Sequence, residues 1–273
     1  MKNIKVIVSD LDGTLLFNNK YSSEQQIQYL KELQNKGIML IISTGRSWNE
    51  TVKIAKDLEI DKHLNYVVCE NGSYVSKVSE FNPLMVETID KDIVKEIYET
   101  LNNQNYSFYF KKYTEQNVYY TNELGMSKTF YTRSNKLIDK NNDQHFENIS
   151  YGFAQFSFQN NADKIFSMLD EKYKDKLSII WDADDEKTKM HYIVSSKNSN
   201  KGAKTLELLK NLGYTNEEAI FFGDSGNDIP ALEAFKNSVV MKNATEQVKK
   251  AAKFVTKHCL EDGVMHFLME NNI

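Results

Sequence analysis

The feature that most constrains this chain is an apolar run, residues 4–9, that leads into two aspartates one residue apart, Asp10 and Asp12. The run predicts a buried strand, and Gly13 after it predicts a turn. An Asp-Gly turn from strand to helix is the simpler interpretation. We favour a functional site, because burying unpaired carboxylates is costly and because ligands of open α/β sheets bind beyond the carboxyl ends of the strands.

Further apolar runs alternate with amphipathic helical patterns, and this alternation predicts an α/β fold with a doubly wound, mostly parallel, Rossmann-like sheet. Capping-box spacings mark the predicted helix starts, and glycines mark two of their ends. The predicted elements are strand 4–9, a helix from Ser22 to Gly37, strand 38–42, a helix from Ser47 through Leu58, strand 66–69, helix 202–212, strands 219–222 and 238–241, and helices 248–252 and 264–269.

The pattern is interrupted by an aromatic-rich segment, which we interpret as an inserted α+β domain over residues 85–194. The core domain is then discontinuous, residues 1–84 and 195–273. We expect residues 134–148 to be a loop and residues 195–200 a polar linker back to the core, because both are rich in turn-forming polar residues. The insertion is predicted to contain strands 107–111, 118–120, 152–158 and 177–182 and helices 90–101 and 162–173.

The composition and net charge argue against several classes of function. A net charge of −4 argues against binding along nucleic-acid phosphates, and no apolar run approaches membrane-spanning length. Cys69 and Cys259 are too few for a disulfide framework, and the five histidines show no paired ligand spacing. The first residues lead into a strand without a secretory segment, so we expect a cytosolic protein. A monomer is the default expectation, with a homodimer as the alternative.

Polar clusters follow several predicted strand ends, and their residue types suit phosphate chemistry. Phosphate monoesters react extremely slowly without a catalyst, so an enzyme must position them and offset their negative charge. Asp10 and Asp224 are hard oxygen ligands of the kind that Mg²⁺ prefers, and Lys201 would add a cation. The clusters are Asp10 with Asp12, Thr44 with Gly45 and Arg46, Lys201, and Asp224 with Asn227 and Asp228.

The motifs DLDGT at 10–14, STGR at 43–46 and GDSGND at 223–228, in this order, resemble those of the haloacid dehalogenase-like hydrolases. The position of the insertion, between Thr44 and Lys201, resembles the class with a large α/β cap domain. Within that class the chain looks like a Cof-like sugar-phosphate phosphatase. The resemblance implies a small phosphate ester as substrate and Mg²⁺ as cofactor.

The resemblance also implies residue roles. Asp10 matches the nucleophile that forms an aspartyl-phosphate, and Asp12 matches the general acid and base. The carboxylates of Asp10 and Asp224 and the main-chain carbonyl of Asp12 match the metal ligands. The remaining matches are Thr44, the amides of Gly45 and Leu11, Lys201 and Asn227 for the phosphoryl group or substrate, and Asp228 for orienting the metal and the lysine.

Two residues stay open between alternatives: Arg46 holds substrate or braces its loop, and Asn71 faces the site or only forms an Asn-Gly turn. The leading function is a Mg²⁺-dependent phosphatase of small phosphorylated metabolites. The alternatives are a phosphomutase or other phosphotransferase of the same superfamily and, less favoured, a non-catalytic sensor of a phosphate ligand. Asp12 argues against the dehalogenase branch, which does not use a second aspartate as acid and base.

Overall fold

A computed structural model describes residues 3–102, 107–115, 117–122, 135–157, 162–183 and 189–273 of the protein. The chain divides into two compact units, one of Met1–Val86 with Asn200–Ile273 and one of Glu87–Ser199. Every residue predicted for the site belongs to the first unit. Among the described residues, no helix is both long and apolar enough to cross a membrane. The cytosolic location stays a prediction.

Strands outnumber helices among the described residues. The strands are β1 (Val6–Ser9), β2 (Leu16–Phe17), β3 (Lys20–Tyr21), β4 (Met39–Ser43), β5 (Tyr66–Cys69), β6 (Tyr74–Lys77), β7 (Pro83–Leu84), β8 (Ser107–Lys112), β9 (Val118–Tyr120), β10 (Asn135–Leu137), β11 (Ile149–Ser157), β12 (Leu177–Ala183), β13 (Lys189–Ser196), β14 (Ala219–Gly223), β15 (Asn237–Val240) and β16 (Phe254–Val255). The helices are α1 (Glu24–Asn35), α2 (Trp48–Asp57), α3 (Lys91–Asn102), α4 (Ala162–Tyr173), α5 (Lys201–Asn211), α6 (Ile229–Ala234), α7 (Glu246–Lys249) and α8 (Gly263–Glu270).

The first unit is built on one sheet with the strand order β16-β15-β14-β1-β4-β5-β6-β7. Neighbours from β16 to β5 pair in parallel, whereas β6 and β7 are antiparallel additions at one edge. The central strands β1 and β14 are buried along their whole length, which explains why they are apolar at nearly every position. The predicted α/β fold with a mostly parallel sheet is confirmed.

The register of this sheet brings the predicted polar loops together. Ser9, the last residue of β1, lies opposite Phe222 of β14 on one side and Ile42 of β4 on the other. Strand β5 continues the same edge beside β4. Because parallel strands end at the same edge of a sheet, the loops after β1, β4, β5 and β14 lie side by side.

The second unit contains a mostly antiparallel sheet with the order β10-β9-β8-β11-β13-β12 among the described strands. Helices α3 and α4 contribute Ile97, Leu101 and Phe166 to an apolar core that also contains Phe108 and Phe110 of β8. These aromatic side chains are therefore core residues of the unit. The α+β character predicted for the insertion agrees with this arrangement.

Three local predictions are wrong. Residues 134–148 are not all loop, because they contain β10 and a 3₁₀ turn, Asp143–Phe146, whose Phe146 is buried in the core. Ser195 and Ser196 belong to strand β13 rather than to a linker. The helix predicted at 248–252 instead begins at Glu246, because Thr245 caps it by accepting a hydrogen bond from the Val248 N–H. Residue 134, the predicted start of the loop, and residue 158, the predicted end of one strand, lie outside the described residues.

Candidate active site

The centre of the site is a buried ion triad. Asp10 directly follows β1, and its Oδ1 accepts a hydrogen bond from Lys201 Nζ at 2.8 Å. Lys201, the first residue of α5, also donates to Asp228 Oδ1 at 2.6 Å. The side chain of Lys201 is completely buried, and that of Asp10 is 5% exposed. Asn200 fixes the start of α5 by accepting a hydrogen bond from the Ala203 N–H at 3.0 Å, so the lysine is held by the end of a helix.

Asp224, which follows β14, contacts the loop after β1. Its Oδ1 accepts a hydrogen bond from the Thr14 hydroxyl at 2.7 Å. Gly13 has a φ of +77°, and a Cβ there would lie 2.1 Å from Asp224 Oδ2, so only glycine leaves room for this carboxylate. The amide of Asn243 donates to the Gly13 carbonyl at 2.8 Å and approaches Asp224 Oδ2 at 3.4 Å. These contacts join the two loops that carry the predicted metal ligands.

Asp228 is occupied by hydrogen bonds that orient its neighbours. Its Oδ2 accepts from the main-chain N–H groups of Asp224 and Ser225 at 2.9 and 3.1 Å, while its Oδ1 faces Lys201. One carboxylate therefore fixes both the loop of Asp224 and the lysine ammonium. The resemblance implies that Asp228 orients the metal and the lysine; its contact with the lysine is present, and the role itself stays a prediction.

The loops after β1 and β4 contain main-chain N–H groups that are available as hydrogen-bond donors. The N–H groups of Leu11, Asp12 and Gly45 donate no hydrogen bond to any residue that the structure describes. Buried main-chain N–H groups are nearly always paired, so the free donor of Leu11, a fully buried residue next to Asp10, is available to a ligand with acceptor atoms. Thr44 is completely buried next to Gly45, and its hydroxyl oxygen accepts from the Arg46 N–H at 3.2 Å. A phosphoryl group has acceptor oxygens suited to these donors.

Asp12 is paired with Arg46. Arg46 Nε donates to Asp12 Oδ2 at 2.7 Å, and Nη2 of the same guanidinium donates to Oδ1, giving a bidentate pair. Asn19 accepts a further hydrogen bond from Arg46 Nη2 at 2.5 Å. Asp12 is 56% exposed, in contrast to Asp10. The hydrogen bond to Asp12 raises the pKa of Arg46, so the guanidinium remains a fixed positive charge beside this carboxylate.

The electrostatics of the triad favour an added cation. Burial raises the pKa of Asp10; Lys201 counteracts this shift, and Asp228 adds to it. Burial, Asp228 and Asp10 together raise the pKa of Asp224. For Lys201, burial alone would lower the pKa, but the charges of Asp10 and Asp228 outweigh it and raise the value. Three carboxylates thus lie near one ammonium group, which contacts Asp10 and Asp228.

A metal ion fits this excess of negative charge. Asp10, Asp224 and Asp228 each offer a carboxylate oxygen, and these oxygens lie within 4.8 Å of one another. All are hard oxygen donors, as divalent cations such as Mg²⁺ and Ca²⁺ require. Because Asp228 already accepts hydrogen bonds from Lys201 and from two main-chain N–H groups, Asp10 and Asp224 are the better candidates for direct metal ligands. The cluster could therefore bind a metal ion.

All of the predicted site residues lie in the loops at this edge or at the start of α5. Asn227 and Asn71, from the loops after β14 and β5, are joined by a hydrogen bond of 2.9 Å. Sequence reasoning assigned no role to Thr14 and missed Asn243. Thr14 lies within the DLDGT motif, which is a usable signal, whereas Asn243 follows β15 in a segment whose sequence shows no pattern pointing to the site.

An α/β sheet with a buried Asp10–Lys201 pair and free main-chain donors at its carboxyl edge is the arrangement of a hydrolase or transferase that handles an anionic group. A family model described as haloacid dehalogenase-like hydrolase matches residues 7–268. The chain belongs to this family, which confirms the resemblance inferred from the motifs.

Several relatives match over nearly their full length. Phosphatase YwpJ of Bacillus subtilis is 28% identical over 288 residues, covering 97% of this chain and 99% of the relative. The 5-amino-6-(5-phospho-D-ribitylamino)uracil phosphatase YcsE of Bacillus subtilis is 26% identical, covering 96% and 93%. The solved structure of a sugar phosphatase of haloacid dehalogenase subclass IIB has the same fold, with a TM-score of 0.80 at 21% identity over 98% of this chain and 99% of that one.

Proposed function

We propose that this protein is a Mg²⁺-dependent phosphatase that hydrolyses small phosphorylated metabolites through an aspartyl-phosphate on Asp10. The observation that carries the proposal is the buried contact between Asp10 and Lys201 at the sheet edge where the loops after β1 and β4 carry Leu11 and Gly45, whose N–H groups donate to none of the described residues. A carboxylate and an ammonium group held together away from water can bring a nucleophile and a phosphate dianion into contact despite their like charges. Named phosphatases among the relatives support this reaction class.

In the first step a carboxylate oxygen of Asp10 forms a bond to phosphorus while the bond from phosphorus to the ester oxygen breaks. The departing alkoxide takes a proton from the carboxyl group of Asp12. Lys201 and the N–H groups of Leu11 and Gly45 hold the phosphoryl oxygens and balance their charge. Thr44 adds a hydroxyl donor at the same place.

In the second step Asp12, now a carboxylate, takes a proton from water, and the water oxygen attacks phosphorus. The bond between phosphorus and Asp10 breaks, which frees phosphate and restores both aspartates. Mg²⁺ bound by Asp10, Asp224 and the carbonyl of Asp12 would offset the negative charge shared by nucleophile and substrate. Arg46 holds Asp12 through its bidentate contact rather than serving the phosphate.

The second unit, Glu87–Ser199, is proposed to be the cap domain that selects the substrate. We expect the substrate class to be sugar phosphates or comparable metabolites. Two matches support this class by their names: one relative acts on a ribitylamino-uracil phosphate and one solved structure is a sugar phosphatase. We propose that the protein acts on such esters rather than on nucleic acid or at a membrane.

The test measures phosphate release from p-nitrophenyl phosphate and from a panel of sugar and nucleotide-like phosphates, with Mg²⁺ and with chelator. Release is expected only with the metal, and we expect Asp10→Asn to lower it by at least about a thousandfold. Asp175→Asn, which changes an exposed aspartate of the second unit in the same way, should leave release unchanged.

Acid-quenched samples of the unaltered protein should contain a phosphorylated Asp10, found by mass spectrometry of the peptide that carries it. No release from any ester by the folded, Mg²⁺-loaded protein would contradict the proposal. Release that requires an added sugar bisphosphate would instead identify a mutase.

A further inference from the structure

The turn after β5, residues Glu70 to Gly72, has an unusual backbone. Its three residues have successive positive φ angles of 49°, 56° and 91°. Non-glycine residues adopt this left-handed region rarely, asparagine more readily than most, and such strained backbone is concentrated at functional sites. Asn71, the middle residue, is only 5% exposed. The fold therefore retains a buried polar side chain on a strained turn, at the point where β5 reaches the active-site edge.

The turn lies between two parts of the proposed phosphate site, the loop after β4 and the start of α5. The Asn71 N–H donates to the Thr44 carbonyl at 3.0 Å, which connects the turn to the loop after β4. On its other side, a Cβ on Gly72 would lie 2.6 Å from the carbonyl carbon of Asn200, the residue before Lys201. Asn71 is thus placed between the loop that carries Gly45 and the helix that carries the catalytic-site lysine.

A chain of hydrogen bonds fixes the direction in which the Asn71 amide faces. The Ser225 hydroxyl donates to Asn227 Oδ1 at 2.6 Å, so the Asn227 amide nitrogen faces the other way. That nitrogen donates to Asn71 Oδ1 at 2.9 Å. The acceptor of Asn71 is therefore used, and its Nδ2 is left as a donor that makes no hydrogen bond to the described residues.

The Asn71 amide lies against Gly45, the residue of the loop after β4 whose N–H donates to none of the described residues. A Cβ placed on Gly45 would be 3.2 Å from Asn71 Oδ1 and 3.5 Å from its Nδ2, so the amide packs directly against Gly45. A second amide hydrogen of Asn227 also remains for a ligand. The Gly45 N–H, the Asn71 amide and the Asn227 amide together present donors, which suit the oxygens of an anion.

We propose that Asn71 is a further phosphoryl-binding residue, whose Nδ2 donates to a phosphoryl oxygen of the substrate next to the Gly45 N–H. The inference rests on the proposed phosphatase function and adds a residue to its binding site. Asn227 acts on the same group partly by fixing the orientation of Asn71.

The test replaces Asn71 with Asp, which keeps the shape, the tolerance for positive φ and the oxygen that accepts from Asn227, but replaces the donor with a negative oxygen. Asn71→Gly is the second variant; it removes the whole amide and accepts the backbone without strain. The matched control is Asn65→Asp, because Asn65 also has a positive φ, of 63°, but stands at the opposite end of β5. All proteins are compared for thermal unfolding, for binding of inorganic phosphate by calorimetry with Mg²⁺, and for KM and kcat with p-nitrophenyl phosphate.

We expect Asn71→Asp to raise the phosphate Kd and the KM at least about tenfold, since a charged hydrogen bond is lost and a like charge is introduced. Asn71→Gly should raise both by about tenfold, and Asn65→Asp should change neither. Phosphate affinity unchanged in both folded Asn71 variants would overturn the proposal, as would a loss confined to kcat. If the unaltered protein releases no phosphate from any ester, both the proposed phosphatase function and this inference fail. If the unaltered protein releases phosphate and both Asn71 variants bind phosphate with unchanged affinity, only this inference fails.

Discussion

Each unit of the protein contains a charged residue that contacts two residues of the opposite charge, and the signs of the charges are reversed between the two groups. In the first unit a lysine, Lys201, lies between two aspartates, Asp10 and Asp228, and none of the three side chains is more than 5% exposed. In the second unit an aspartate, Asp143, lies between two lysines at 3.2 and 2.6 Å. Its side chain is 57% exposed. The two lysines, Lys91 and Lys95, are 39% and 32% exposed.

The difference in burial separates what the two clusters can do. Exposed ion pairs contribute little to stability, because water and salt screen them. A buried cluster carries a large desolvation cost and is weak as a device for stability, since apolar residues of the same volume often serve as well. Its retention at the carboxyl edge of the sheet therefore indicates chemistry rather than folding.

The largest effect should follow Lys201→Met, which leaves Asp10 and Asp228 buried without their cation. In chelator we expect about 3–5 kcal/mol of lost stability, the range for breaking a buried pair from one side. Phosphatase activity with Mg²⁺ should fall by at least about a hundredfold, because the phosphoryl group loses a fixed positive charge. Urea unfolding and steady-state kinetics measure the two effects. Unchanged stability would show that loss of the lysine from the buried triad costs no more stability than loss of a lysine from the exposed cluster.

A second effect concerns the metal and Asn243, which links the loops of Gly13 and Asp224. We expect Asn243→Ala to weaken Mg²⁺ binding by about tenfold, because groups that orient metal ligands contribute on this scale. Calorimetry measures the affinity directly, and the Mg²⁺-induced rise in Tm should shrink. The control is Asn237→Ala, which removes an amide that bridges the Glu217 and Ala219 carbonyls away from the site. Equal Mg²⁺ affinity in both variants would contradict the role of Asn243.

A smaller effect should follow Arg46→Met, which removes the bidentate partner of the exposed Asp12. If Arg46 positions Asp12 as acid and base, kcat should fall by about tenfold for alkyl phosphates, whose leaving groups need a proton. The loss should be less for p-nitrophenyl phosphate, whose leaving group needs little help, and KM should change little for either. A rise in KM of the same size for both esters would show instead that Arg46 binds the substrate phosphate.

Much of the first unit could be predicted because its strands and motifs are local. The apolar run before Asp10 and the DLDGT and GDSGND motifs are contiguous in sequence, and the parallel sheet brings the ends of their strands to one edge. The bidentate contact between Asp12 and Arg46 could not be read from the sequence, because side-chain direction across two loops has no sequence signature. For the same reason Asn243, which is 19 residues from Asp224, was missed.

The second unit was harder to predict because its sheet is mostly antiparallel and its strands are half polar. Strand β13 ends in two serines, so the sequence pattern indicated a linker where the sheet continues. Phe146 stands in a run of polar residues, and nothing local reveals that it joins the core beside Tyr98. Tertiary packing, rather than local pattern, decides such positions.

The smallest effect should follow Lys95→Met in the exposed cluster, the counterpart of Lys201→Met. Lys95 donates to Asp143 at 2.6 Å, and its ammonium lies 5.7 Å from the Phe146 ring, so methionine keeps the apolar packing and removes only the charge. Because Lys91 still faces Asp143 and water screens the rest, we expect Tm to change by less than about 2 °C and kcat/KM to stay within about twofold. Differential scanning calorimetry checks the first expectation. A Tm loss as large as that of Lys201→Met would mean that the number of ion contacts, and not their burial, sets the importance of a charge cluster in this protein.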